Sequence, residues 1–259
     1  ALTAFFVISF IILPKSFSGE WYFDSVLIKS GFIEIRWYGL LIAVGILLAT
    51  FIAENGAKRE KVSEDDFFSV LALGIIFGII GARIYYVIFN FSYFSHNLID
   101  IFKTWEGGLA IHGAILAAFL VAFLYSHFKK NCTFTFLQGL DIFTFVLPLA
   151  QSIGRWGNFF NHEAYGRPTN LPWKMYIAPE HRVPGYQNFE FFHPTFLYES
   201  FWDLIVFLIL FYFIRNKRQN YGEVTALYLI LYSVGRIPIE LLRTDSLYFL
   251  NFRIAQIIS

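Results

Sequence analysis

Tyr232, Arg236, Glu240 and Arg243 fall at intervals of 4, 4 and 3 within YSVGRIPIELLR. In a helix that spacing stacks them on one face. Gln151, Arg155 and Asn158 repeat the device in QSIGRWGNFFNHEAYGR, where Gly154 and Gly157 flank the arginine and Asn161, Glu163 and Gly166 follow. A guanidinium is a planar fork of donors that matches the oxygens of a phosphate, so these residue types suit the binding of a phosphorylated ligand. Glu240 can pair with Arg236 or Arg243, and two arginines against one glutamate leave one positive charge over. The two glycines beside Arg155 clear room for a ligand or a backbone, and Gly166 is expected to supply a tight turn. Pro238, inside the first stripe, is expected to kink its helix and free a carbonyl.

Two further places carry polar side chains in apolar surroundings. His112 lies in WEGGLAIHGAI, about one turn into an apolar run, and reads either as a satisfied core histidine or as a proton acceptor. Arg83 follows the GxxxG of Gly74 and Gly78, which reads as a helix-packing face. That arginine is either an interface anchor or a fourth phosphate ligand beside Arg155, Arg236 and Arg243.

All these residues must be positioned by membrane helices. Of the 259 residues, 57% are hydrophobic and only 15% charged, with a mean hydropathy of +0.55. Soluble domains carry about 25% charged residues, and this chain lacks enough polar residues to cover a soluble core. An ionisable side chain at membrane depth costs about 2.5–3.5 kcal/mol on insertion scales, which is why such residues usually mark function. Apolar runs give spans near residues 35–55, 67–89, 109–127, 137–160, 194–214 and 224–242, with a seventh expected from about Ile254. Lys58, Arg59 and Lys61, then Lys129 and Lys130, then Arg215, Lys217 and Arg218 crowd the odd-numbered connections. The positive-inside rule therefore puts those connections in the cytoplasm. The long connection 161–193, with prolines and aromatics, is expected to form a small ordered cap on the outer side. Residues 1–24 read as an apolar N-terminal extension, and 25–259 as one transmembrane catalytic domain. The single cysteine, Cys132, permits no internal disulfide or thiol–metal site. No basic tract interleaved with aromatics suggests nucleic-acid binding. The residues by themselves point to an anionic lipid headgroup held inside the bilayer.

At these motifs the sequence resembles the prolipoprotein diacylglyceryl transferases of bacterial inner membranes. The resemblance rests on IRWYGLL at Ile35, GARIYYVIF at Gly81, WEGGLAIHG at Trp105, GRWGNFFNHEAYGR at Gly154, HPTFLYE at His193 and YSVGRIPIELLR at Tyr232. It runs from about Ser25 to the end of the chain. It implies an all-α polytopic fold of about seven transmembrane helices, the seventh largely missing here. It also implies a reaction: the diacylglyceryl group of phosphatidylglycerol passes to the lipobox cysteine thiol of a prolipoprotein signal peptide, a thioether forms, and glycerol 1-phosphate leaves. No metal or soluble cofactor is implied, and the partners are phosphatidylglycerol, the signal peptide and the bilayer.

On that resemblance, His112, Arg155, Arg236 and Glu240 are the expected catalytic residues. Tyr38, Arg83, Asn158, Glu163, Gly166, Tyr232 and Arg243 are the expected substrate-binding ones. Arg155 and Arg236 would meet the charge that grows on the leaving phosphate, and Glu240 and Glu163 would orient them and the glycerol hydroxyls. A thiol titrates near 8.5 and attacks as thiolate. Its proton could go to His112, or the arginine field alone could lower its pKa. Cys132, on the cytoplasmic side, is expected to take no part. The rival readings are a lipid transporter and a phosphatidylglycerol-binding subunit without chemistry.

Overall fold

The structure is a computed structural model and describes residues 12–31, 33–104, 107–244, 248–249 and 252–253. Among the described residues, seven helices of nine or more residues dominate: α1 (Trp37–Arg59), α2 (Glu64–Phe89), α3 (Ile111–Phe128), α4 (Phe136–Thr144), α5 (Leu147–Phe160), α6 (Thr195–Asn216) and α7 (Glu223–Leu242). Among the described residues, α1, α2, α3, α6 and α7 are each long and apolar enough to cross a membrane. The protein is an all-α polytopic membrane protein. The expected span 137–160 is broken into α4 and α5. Pro148 sits in the first turn of α5, where its missing N–H costs nothing, whereas in one continuous helix it would remove a backbone hydrogen bond. The seventh span expected near Ile254 lies outside the described residues.

Short hairpins accompany the helices. β1 (Val26–Ser30) pairs antiparallel with β2 (Ile33–Arg36) around Gly31, whose φ of 57° suits a glycine turn. β3 (Met175–Tyr176) pairs with β4 (Phe191–Phe192), and β5 (Tyr248–Phe249) with β6 (Phe252–Arg253). These strands are not expected from the apolar runs of the sequence.

The chain forms two compact units. One comprises residues 1–50, 145–218 and 224–259, the other 51–144 and 219–223. In the second, α2 packs on α3 through Gly81 and Gly113. A Cβ on Gly81 would lie 2.6 Å from the Gly113 carbonyl, whereas one on Gly74 would meet nothing within 4 Å. The close approach thus falls a turn beyond the expected Gly74–Gly78 pair. The start of α2 is capped by Ser63, and Asp66 in its first turn accepts from Thr133 N at 2.8 Å and the Tyr125 hydroxyl at 3.0 Å. Lys129 Nζ stands 2.6 Å from the same carboxylate.

In the first unit the connection after α5 is an ordered cap. Its buried core joins Phe159, Tyr165, Met175, Ile177, Phe192 and Phe196. Burying a side chain of this size stabilises by about 1.5–3 kcal/mol. Part of the N-terminal extension belongs to this cap. Phe17 packs 6.3 Å from the rings of Phe159 and Phe196, and Tyr22 stacks 4.7 Å from His162. The tight turn leaving α5 is made by His162 (φ 54°) and Ala164 (φ 57°), not by Gly166. Gly166 is needed for close approach: a Cβ there would lie 2.7 Å from His193 Cβ and 3.1 Å from the Leu242 carbonyl.

Candidate active site

Three helices of the first unit bring their ionisable residues to one carboxylate. The Glu199 side chain, on the second turn of α6, is 5% exposed. Arg155 Nη2 of α5 stands 2.6 Å from its Oε2, and Arg236 Nη1 of α7 stands 2.7 Å from its Oε1. Arg243 Nη1, one residue past α7, lies 3.4 Å from the same Oε1. Arg236 Nη2 also reaches Glu240 Oε2 at 2.6 Å, one turn along its own helix. Asp203, one turn beyond Glu199, places Oδ2 4.0 Å from Arg155 Nε, close enough for attraction but too far for a hydrogen bond. Three guanidinium groups therefore face three carboxylates. The surplus positive charge expected from the Arg236–Glu240–Arg243 stripe, together with that of Arg155, faces the two acids of α6.

The packing between α5 and α6 fixes this arrangement. The Ser152 hydroxyl donates to the Ser200 carbonyl and the Ser200 hydroxyl to the Ser152 carbonyl, each at 2.8 Å. Trp156 Nε1 donates to the Ser200 hydroxyl at 3.1 Å. Arg155 follows Ser152 by one turn and Glu199 precedes Ser200 by one residue, so the serine pair sets the level at which they meet. On the α7 side, the Tyr228 hydroxyl donates to Gln151 Oε1 at 3.0 Å, and the Tyr232 ring lies 5.7 Å from that of Tyr228.

The end of α5 is organised separately. Asn158 Nδ2 and Asn161 Nδ2 both donate to Glu163 Oε1, at 3.0 and 3.2 Å. Glu163 is thus held by two amides rather than orienting an arginine. Gly157 makes room for the Tyr38 ring, which a Cβ there would strike. A Cβ on Gly154 would meet nothing within 4 Å, so the space beside Arg155 on that side is open. Gly166 N donates to the His193 carbonyl at 2.9 Å, and Gly166 forms a bridge with Arg243 on its other side.

Two expected residues fall in the other unit. His112 is exposed on the first turn of α3, with its ring 5.8 Å from Tyr85. Arg83 is buried on α2 and spends its guanidinium on backbone carbonyls: Nε on Ile101, Nη1 on Gly107 and Gly108, Nη2 on Asp100 and Lys103, at 2.5–3.3 Å. All five of its N–H donors close the 98–108 loop, which is the work of a structural clamp rather than of a phosphate ligand. Cys132 lies in the connection between α3 and α4, where burial pushes its thiol up from the ordinary range.

The prolipoprotein diacylglyceryl transferase family matches residues 25–259. The chain belongs to that family. It is 52% identical over 257 residues to the phosphatidylglycerol–prolipoprotein diacylglyceryl transferase of Thermotoga maritima, covering 99% of this chain and 87% of that one. The enzyme of the same name from Fervidobacterium nodosum is 52% identical over 250 residues, covering 96% and 85%, and that of Trichormus variabilis 48% over 240 residues, covering 90% and 84%. The protein is accordingly a transferase of lipoprotein biosynthesis.

Within this family assignment, sequence reasoning missed Glu199 and Asp203. Both lie in HPTFLYESFWD, an otherwise apolar span, at the i, i+4 spacing already used to find the other clusters. The rule that flags ionisable residues at membrane depth applies to them equally. Ser152 and Ser200 gave no such signal, because an uncharged hydroxyl is common in apolar helices.

Proposed function

We propose that the protein transfers the diacylglyceryl group of phosphatidylglycerol to the lipobox cysteine thiol of a prolipoprotein signal peptide. The observation that carries this reading is the convergence of Arg155, Arg236 and Arg243 on Glu199, in a chain of this family. A sulfur–carbon bond forms at the glyceryl carbon as its bond to the phosphate oxygen breaks. The thiol proton leaves for a base or solvent, and glycerol 1-phosphate departs. The phosphodiester starts with one negative charge, and the departing monoester gains a second. Cations already in place over that phosphate stabilise the transition state more than the bound lipid.

Arg155 and Arg236 are the residues for this role, with Arg243 beside them. Glu199 and Glu240 fix their forks and offset the cost of holding guanidinium groups at membrane depth. Arg155 contacts Glu199 through Nη2, and Gly154 leaves open space beside it, which suits entry of a headgroup. Asn158, Glu163, Tyr38 and Tyr232 are binding residues for the glycerol and phosphate oxygens in this scheme. His112 remains the proposed acceptor of the thiol proton. The lysine and arginine clusters of the odd connections support a bacterial inner-membrane location with the reaction in the outer half of the bilayer.

The test is incubation of the purified protein with phosphatidylglycerol and a lipobox peptide, followed by mass analysis. The peptide should gain one diacylglyceryl group with release of glycerol phosphate. An unmodified peptide would contradict the proposal.

A further inference from the structure

The same unit holds a second polar chain, separate from the arginine cluster. Trp173, in the connection between α5 and β3, places Nε1 2.7 Å from the Tyr198 hydroxyl, and that hydroxyl lies 3.2 Å from Nδ1 of His193. An indole N–H can only donate, so the chain has one direction that uses every group. Tyr198 accepts from Trp173 and gives its own proton to Nδ1. A neutral imidazole that accepts at Nδ1 carries its proton on Nε2. Burial holds His193 below the ordinary histidine range, which favours that neutral form. His193 is only half-buried, and among the described residues its Nε2 has no hydrogen-bond partner.

The backbone links His193 to the segment that carries Arg243. The His193 carbonyl accepts from Gly166 N at 2.9 Å, and His193 N donates to the Arg167 carbonyl at 3.0 Å. On its other side Gly166 is bridged to Arg243, whose guanidinium shares Glu199 with Arg236. Gly166 is thus the middle segment of three, and its missing side chain lets His193 come in. Tyr198 immediately precedes Glu199, so one turn of α6 carries both the lock on His193 and the hub of the arginines.

We propose that His193 binds an oxygen of the phosphatidylglycerol headgroup by donating from Nε2, and that Tyr198 and Trp173 are positioning residues that lock the tautomer presenting that proton. The proposal rests on the reading that the arginine cluster takes this headgroup.

The experiment uses the full chain, purified, in vesicles of phosphatidylcholine with graded phosphatidylglycerol and a lipobox peptide. His193→Ala should raise the KM for phosphatidylglycerol about tenfold, with the KM for peptide within about twofold of normal, because only a lipid contact has been removed. His193→Gln keeps an N–H at the place of Nε2 and should return the KM to within about threefold of normal. Trp173→Phe and Tyr198→Phe should fall between, at about threefold to fivefold. Alanine also removes packing, so a second measurement uses the unsubstituted protein. Its ¹⁵N-histidine spectrum should contain a neutral, Nε2-protonated imidazole, absent from His193→Gln, whose Nε2 signal shifts when phosphatidylglycerol replaces phosphatidylcholine. An unchanged lipid KM in His193→Ala, a glutamine variant no better than alanine, or an Nε2 signal blind to phosphatidylglycerol would overturn the proposal. The spectral shift needs no turnover. If the protein bound the lipid at His193 yet made no thioether, the transfer reading would fail and this one would stand.

Discussion

Arg155 Nη2 stands 2.6 Å from Glu199 Oε2, and the other oxygen of that carboxylate is held by Arg236 at 2.7 Å. One acid on α6 therefore keeps two like-charged forks, from α5 and α7, in fixed relation. Without it the two guanidinium groups would repel each other in a medium that screens charge poorly. The geometry of the proposed phosphate site is in this sense a property of Glu199 as much as of the arginines.

Glu199→Gln tests that dependence. Removing one partner from a buried ion network costs about 3–5 kcal/mol, since the remaining charges stay buried. Thermal unfolding should show a marked loss, and transfer per folded enzyme should fall by about a hundredfold or more. Asp203→Asn touches a weaker contact at 4.0 Å and should cost only several-fold in rate, in line with its distance. Equal effects for the two variants would mean that Glu199 is not the hub.

Arg83 separates a structural arginine from a functional one. Lysine in its place offers three donors to carbonyls that now receive five N–H groups. Arg83→Lys should lower the thermal midpoint and loosen the 98–108 loop to proteolysis, while the KM for phosphatidylglycerol stays within about twofold of normal. A large, selective rise in that KM would restore the arginine as a lipid ligand.

Gly166→Ala should be poorly tolerated although the position has no positive φ. Its new methyl would press on His193 Cβ at 2.7 Å and on the Leu242 carbonyl at 3.1 Å. Overpacking of this kind costs about 1–3 kcal/mol. Urea or thermal unfolding of the purified variant measures it, and a wild-type midpoint would contradict the close approach.

The cap should weaken in mild acid. Burial lowers the pKa of His162, whose Nε2 lies 2.8 Å from the Phe23 carbonyl and whose ring is 4.6 Å from that of His181. An unfolded histidine titrates near 6.5. Below that pH the unfolded chain takes up the proton first, so stability falls as pH drops from about 6.5 to the lower folded value and is fully present above that window. His193 contributes with the same sign. The thermal midpoint should therefore decline between pH 7 and 5, and less steeply in His162→Gln. Identical slopes in the two proteins would rule His162 out as the source.

Much of this architecture was legible in the residues, and the gaps have physical causes. Spans were found because lipid demands long apolar helices, and α1, α2, α3, α6 and α7 fall where the apolar runs put them. The break at Pro148 was missed because the apolar run is continuous on both sides of it, and hydropathy does not report backbone hydrogen bonding. Arg155, Arg236 and Glu240 were found from polar residues at helical spacing in greasy surroundings, and they do meet at one place. The partner they share was missed because Glu199 was read only as the last letter of HPTFLYE. The clamp role of Arg83 was hidden for a different reason. Its five acceptors are backbone carbonyls, which every residue carries and no sequence distinguishes.

If paired guanidinium forks stabilise the leaving phosphate, the rate of thioether formation by Arg155→Lys at saturating phosphatidylglycerol and peptide will report it. The variant keeps the charge but replaces a two-pronged donor with a point charge. That rate should lie at least about a hundredfold below normal, with thermal midpoint and lipid binding largely kept. A lysine variant that forms thioether at the normal rate would contradict it.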